Sequence, residues 1–205
     1  MTMLSLKDLE GSDGMQILAF NGSPRKKGNT SAIVRTILSG AESEGAETVE
    51  VRLHDLDMKG CQGCLACRQK PGTCAQKDEL SPYLEMMKTC QGIVLACPIY
   101  MYRICGQMKL FVDRSYSLYV SREEGGYDSA VPPGKTYAVV VSQGAPENEQ
   151  YQRSVRWLSG VAGSGFGMRE VGRIVHSNSN LSPADKDNAL LDEAFLIGQR
   201  LTRKE

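Results

Sequence analysis

An apolar run of six residues, 15–20 (MQILAF), runs straight into the polar, glycine-bearing stretch Asn21-Gly22-Ser23-Pro24-Arg25-Lys26-Lys27-Gly28-Asn29-Thr30-Ser31, and a helical pattern starts near Thr30. That order constrains the chain more than any other feature. A strand of this kind is apolar on both faces and must be covered on both. The helix behind it carries Ala32, Ile33, Ile37, Leu38 and Ala41 on one face and stops near Gly45, a 3-4 spacing that buries a single stripe. The alternation then repeats. Strand patterns are expected at 48–53, 93–97, 136–141 and 171–175, and helices from 79 or 81 to 89, over 104–118, over 148–160, and from a Ser182 cap to 203. Pro98-Ile99-Tyr100 is expected to break the third strand, and residues 121–134 to form a surface excursion. Five strands alternating with five helices mean an α/β fold with a parallel sheet, helices on both faces and right-handed crossovers. With no composition break or internal repeat, the expectation is one domain over 15–205, preceded by a polar arm at 1–14.

A strand, a tight loop and a helix start make an anion site. The first backbone N–H groups of the helix have no internal partner, and the helix dipole adds partial positive charge. Gly22 and Gly28 permit sharp turns and close approach, Ser23, Thr30 and Ser31 offer hydroxyls, and Asn29 could cap the helix while donating its amide. Arg25, Lys26 and Lys27 form a charge run from which Arg25 or Lys27 could screen a phosphate. A nucleoside-triphosphate loop is excluded: five residues separate Gly22 from Gly28, and Asn29 stands where its lysine belongs. No Gly-x-Gly-x-x-Gly follows the first strand either. Hydroxyls and amides suit a terminal phosphate monoester, as on a mononucleotide such as FMN.

Gly-Ser-Pro-Arg-x-x-Gly-Asn-Thr behind an N-terminal strand resembles the flavodoxin-like NAD(P)H-dependent FMN reductases. The resemblance implies a flavodoxin-like three-layer sandwich with a five-stranded parallel sheet of order 2-1-3-4-5. The ligand would then lie at the carboxyl ends of strands 1 and 3, where the chain reverses direction. It further implies that the loop of Pro98, Ile99, Tyr100 and Met101 wraps the pyrimidine side of the flavin and is followed, in the family's arrangement, by Gly106, Gln107, Met108, Lys109, Phe111, Asp113 and Arg114, with Ser142, Gln143 and Gly144 as the neighbouring loop. The cofactor-binding set is therefore Ser23, Arg25, Gly28, Asn29, Thr30, Ser31, Pro98, Ile99, Tyr100, Met101, Gly106, Ser142, Gln143 and Gly144, with the chemistry on the flavin itself. Two positions depart from the family pattern: Cys97, where serine is common, and the bulky Met101-Tyr102-Arg103.

Residues 57–77 form an irregular loop carrying Cys61, Cys64, Cys67 and Cys74, a Cys-x2-Cys-x2-Cys-x6-Cys run. Three thiols at that spacing can reach three corners of a cubane and the fourth can supply the last. Zinc sites more often pair two separated Cys-x2-Cys knuckles, and free or redox-active thiols are the remaining alternative. The spacing resembles the iron-sulfur flavoproteins, which implies a [4Fe-4S] cluster beside FMN, although related reductases without a cluster carry cysteines before an acidic pair like Asp78-Glu79. Cys90, Cys97 and Cys105 read as buried small apolar residues, and His54 and His176 have no second partner at ligand spacing.

With 24 basic and 24 acidic residues the net charge is zero, which argues against a nucleic-acid or anionic-membrane partner. No 18-residue apolar run is present. Seven cysteines without a signal peptide point to a reducing compartment, hence a cytoplasmic protein. The leading expectation is an oxidoreductase passing electrons from NAD(P)H through FMN to a small acceptor such as a quinone. NAD(P)H is implied by the resemblance alone, as is a homodimer or homotetramer. The rivals are an iron-sulfur electron carrier fed by a ferredoxin, and a non-flavin phosphate-binding module with a zinc-stabilised loop.

Overall fold

The protein is described by a computed structural model over residues 14–203; the arm expected at 1–14 lies outside the described residues except for its last residue. The first strand, β1 (Gln16–Asn21), is buried along its whole length, and α1 (Asn29–Glu42) follows it. Next come β2 (Glu47–Arg52), the one-turn helix α2 (Ala66–Gln69), α3 (Ser81–Met86) and β3 (Gly92–Tyr100). The chain continues through β4 (Arg103–Ile104), α4 (Gly106–Ser115), the hairpin strands β5 (Tyr119–Ser121) and β6 (Tyr127–Ser129), and β7 (Thr136–Ser142). It closes with α5 (Gln152–Gly160), β8 (Arg169–His176) and α6 (Asn188–Leu201).

The main sheet has the order β2-β1-β3-β7-β8, all parallel, so the five strands read from sequence take the expected 2-1-3-4-5 arrangement. Strand β4 is an addition, antiparallel to the far end of β3. Helices α3, α4 and α5 cover one face through Leu84, Met108, Phe111, Val155 and Leu158. On the other face, α1 and α6 bury Ile33, Ile37, Ala194 and Ile197. These two helices touch backbone to backbone: a methyl on Gly40 would collide with the Phe195 carbonyl, and one on Gly198 with that of Ile37.

Three expectations are corrected. Pro98 does not break the third strand: it pairs in register with Ser142, and β3 continues to Tyr100 because Ile99 and Tyr100 find partners in Ile104 and Arg103. The fourth helix consequently starts at Gly106, since Ile104 belongs to the hairpin. The last helix is capped by Asp187, whose carboxylate accepts from the Leu190 N–H, and not by Ser182, which a short 3-10 turn separates from the helix.

Candidate functional site

Loops after β1, β3 and β7 meet at the carboxyl edge of the sheet, where the order of strands reverses. The first is heavily braced. The Asn21 carboxamide accepts from the Ser23 N–H at 2.9 Å and donates to Ser31 Oγ and Glu50 Oε1. Ser31 Oγ donates in turn to the Arg25 carbonyl at 2.9 Å. Thr30 Oγ1 bonds Ser142 Oγ at 3.0 Å and ties this loop to the end of β7. Gly22 is a glycine because a methyl there would lie 2.6 Å from Cys105 Sγ, which donates to the Gly22 carbonyl.

Asn29 does not cap α1. Its carboxamide donates to the Ser179 carbonyl at 2.7 Å and accepts from the Ala184 N–H, fastening the segment after β8 to the loop. The cap position falls to Gly28, which has no side chain to offer, so the helix start is left without a side-chain cap. Backbone N–H groups of Asn29, Thr30 and Ser31 are thus the orphan donors that a helix start directs at an anion. Arg25 is exposed, and Lys26 is drawn toward Asp55 at 3.5 Å. Ser31, counted among the ligands from sequence, has its hydroxyl committed to bracing the loop.

The β3–β4 turn is the sharpest feature of the region. Met101 and Tyr102, its two central residues, have φ of +46° and +69°. A two-residue hairpin with both φ positive normally calls for Asn-Gly, so two bulky residues there hold strain of about 1–3 kcal/mol each. Tyr100 and Met101 at this turn point to solvent, 44% and 86% exposed. Pro98 is buried and Ile99 half-buried, and Gly106 opens α4. Cys97, one of the two departures from the family pattern, is fully buried against this hairpin's base. Beyond β7, Gln143 is buried and its Nε2 donates to the Glu147 carbonyl. Its Oε1 has no hydrogen-bond partner among the described residues, which leaves a buried acceptor open to a donor. Gly144 is exposed; a methyl on it would press on the Asn180 amide at 3.0 Å.

The loop behind β2 is built differently. Cys61 and Cys64 are exposed, Cys67 and Cys74 partly so. All four line one small cavity of about 80 Å³ together with Arg114, Tyr116 and Gln76. Burial pushes the Cys67 thiol up, and the nearby Cys74, Cys61 and Cys64 add to that. The thiols do not converge on a point: among the described residues, no three His, Cys, Asp or Glu side chains stand at the spacing of a single-ion site. Two acidic residues hold the loop at its foot. Glu79 accepts from the Asp57 N–H at 2.6 Å, and Asp78 from the Lys59 N–H at 3.3 Å. Asp78 also receives the fully buried guanidinium of Arg114, which donates to the Lys59 carbonyl at 2.8 Å as well. Burial opposes ionisation of Asp78, yet its hydrogen bonds from Arg114 and Lys59 outweigh it and hold the carboxyl below the usual range. Arg68 closes the outer side, donating to the hydroxyls of Tyr116 and Tyr127 at 2.7 and 3.0 Å.

Arg114 is the residue whose part sequence reasoning missed. It stands beside Asp113 in the chain, but Asp113 pairs with Lys109 on the surface while Arg114 turns inward. An arginine one position off a surface acid, on the apolar face defined by Phe111 and Met108, was the available signal. Cys90, Cys97 and Cys105 are buried as expected. His54 is exposed, and burial lowers the pKa of His176 at the end of β8. No helix among the described residues is long and apolar enough to cross a membrane.

A family profile of NADPH-dependent FMN reductases matches residues 15–179. An iron-sulfur flavoprotein of Methanocaldococcus jannaschii is 36% identical over 104 residues, 51% of this chain and 53% of that protein. The chain spans about half the length of the curated relatives first in similarity. Among solved structures, an NAD(P)H:quinone oxidoreductase from Methanothermobacter marburgensis superposes with a TM-score of 0.67 at 13% identity, covering 93% of this chain and 98% of that one. An FMN-dependent NADH-azoreductase from Bacillus anthracis, solved with FMN, gives 0.66 at 16% identity over 92% of this chain and all of the other. At such identities these two share the fold.

Proposed function

The chain belongs to the family of NADPH-dependent FMN reductases, and from that premise we propose that it is an FMN-dependent oxidoreductase reducing a small acceptor such as a quinone. The net reaction is NAD(P)H plus a proton plus quinone giving NAD(P)+ plus hydroquinone. One observation carries this reading: a helix start without a side-chain cap, at the switch point of the sheet, under a loop whose side chains are locked in place. FMN, when bound, supplies the two-electron chemistry that no side chain here could. The chain's own groups bind and shield. The N–H groups of Asn29, Thr30 and Ser31 with the Ser23 hydroxyl would hold the phosphate, the Thr30 hydroxyl would brace the loop through Ser142, and Arg25 would screen the charge. The orphaned Gln143 Oε1 would accept a ring N–H, and Pro98, Ile99, Tyr100 and Met101, with Gly106, Ser142 and Gly144 close by, would border the ring and keep water from one side. Isolated protein with flavin absorbance bands and NAD(P)H-dependent quinone reduction would bear this out; protein that takes up no FMN would refute it.

The second reading is favoured by the cysteine cavity. Cys61, Cys64, Cys67 and Cys74 around one space, with a buried cation beside it, suit a [4Fe-4S] cluster better than a single ion, because a cubane needs thiols spread around a larger body. Arg114 would offset part of the negative charge of such a group. The protein would then be an iron-sulfur flavoprotein able to take single electrons from a ferredoxin. Iron and acid-labile sulfide on oxygen-free protein decide it: about four of each per chain supports the cluster, and flavin alone returns the chain to the plain reductase.

A further inference from the structure

Between the β3–β4 hairpin and α5 lies a cleft of about 450 Å³ that none of the groups assigned above uses, lined by Arg103, Ile104, Lys109, Arg153, Ser154 and Trp157. The volume falls in the range of small-molecule sites. Ile104 and the indole of Trp157 are the apolar part of its lining, and Trp157 is 44% exposed among the described residues. Its rim is cationic. Lys109 is already paired with Asp113, but among the described residues neither Arg103 nor Arg153 meets a carboxylate. Arg153 and Trp157 stand one turn apart on α5 and so share a face. In a chain of zero net charge, two guanidinium groups without a carboxylate, of which Arg103 gives one bond to the Tyr102 carbonyl at 3.1 Å, beside an aromatic side chain are a local arrangement. A planar ring would lie on Trp157 while an anionic substituent takes the arginine forks. The cleft also abuts the proposed flavin loop: Ile104 pairs with Ile99, and Ser154 Oγ donates to the Tyr102 carbonyl at 3.4 Å.

We propose that this cleft selects the acceptor, and that the acceptor is a planar aromatic carrying an acidic group such as a carboxylate or sulfonate. The proposal rests on the flavin reading for turnover and stands without it for binding. Trp157 is the sole tryptophan, so its fluorescence reports occupancy directly. The probes are anthraquinone-2-sulfonate and the neutral 2-(hydroxymethyl)anthraquinone, titrated into the full chain at low and high salt. The sulfonate is expected to bind about tenfold tighter or better at low salt, with the preference shrinking as salt screens it. In Arg103→Ala/Arg153→Ala the ratio of the two affinities, and of the two KM values under NAD(P)H, should collapse toward one. Equal binding of both probes to the wild type, or an undiminished preference in the double variant, overturns the proposal. A preference seen in binding on protein that holds no flavin and turns over neither probe supports the cleft and refutes the flavin reading instead.

Discussion

Two loops leave the same edge of one sheet, after β1 and after β2, and they are held in opposite ways. The loop after β1 is pinned along its length. Asn21, Ser23 and Ser31 bond one another or its backbone, Gly22 meets Cys105, and Asn29 and Thr30 reach to distant segments. The cysteine loop is fixed at its foot by Asp78, Glu79 and Arg114, while its outer turn, with Leu65 54% exposed and Gly63 and Leu65 at positive φ, has few ties besides Arg68. The difference teaches what each can do unaided. A preorganised cradle of this kind would bind a phosphate, as proposed, without ordering anything first. A loosely tied ring of thiols draws its final shape from what it binds, as metal sites commonly do.

The largest effect that would break this contrast is at the anchor. Arg114→Ala leaves Asp78 part-buried and without its guanidinium partner, and should cost about 3–5 kcal/mol in a denaturant titration. Its signature is selective: alkylation of Cys74 should quicken, while FMN affinity changes little if the two loops are independent. Next is Gly22→Ala, where the added methyl must displace Cys105 Sγ, at about 1–3 kcal/mol for overpacking. Recovery in Gly22→Ala/Cys105→Ala would trace the loss to that contact; no recovery would point to the backbone. Ser23→Ala should weaken FMN about tenfold, one hydrogen bond to a charged group being removed, with the thermal midpoint nearly retained. Equal affinity would mean that backbone N–H groups alone hold the phosphate. The smallest effect is a pH dependence. Asp78 has a lowered pKa when folded, so its contribution is complete above the unfolded value near 4 and is lost as pH falls through the folded one. Melting curves from pH 5 downward should therefore fall less steeply in Asp78→Asn than in the wild type.

The sequence was legible where side-chain periodicity and backbone chemistry coincide. The buried strands, the alternation and the loop before α1 follow from apolar runs, glycines and hydroxyls in sequence order, and the parallel order 2-1-3-4-5 followed from the resemblance. Reasoning fell short where a residue's partner lies far away in the chain. Asn29 looks like a cap and is a brace, because Ser179 and Ala184 arrive beside it only after the sheet is complete. Pro98 looks like a strand breaker but lies where the strand needs no N–H from it, and the chain beyond it folds back as a hairpin.

The sequence by itself determined the α/β alternation, the glycine- and hydroxyl-bearing loop before α1 and the clustering of four cysteines in one loop, since each depends on near neighbours in the chain. Only the tertiary structure decided that Arg114 turns inward to Asp78, that Met101 and Tyr102 adopt left-handed φ, and that Arg103, Arg153 and Trp157 share a cleft. Those outcomes depend on which surfaces the sheet order brings together, and contacts between residues 36 or 50 positions apart leave no periodic trace in the sequence that encodes them.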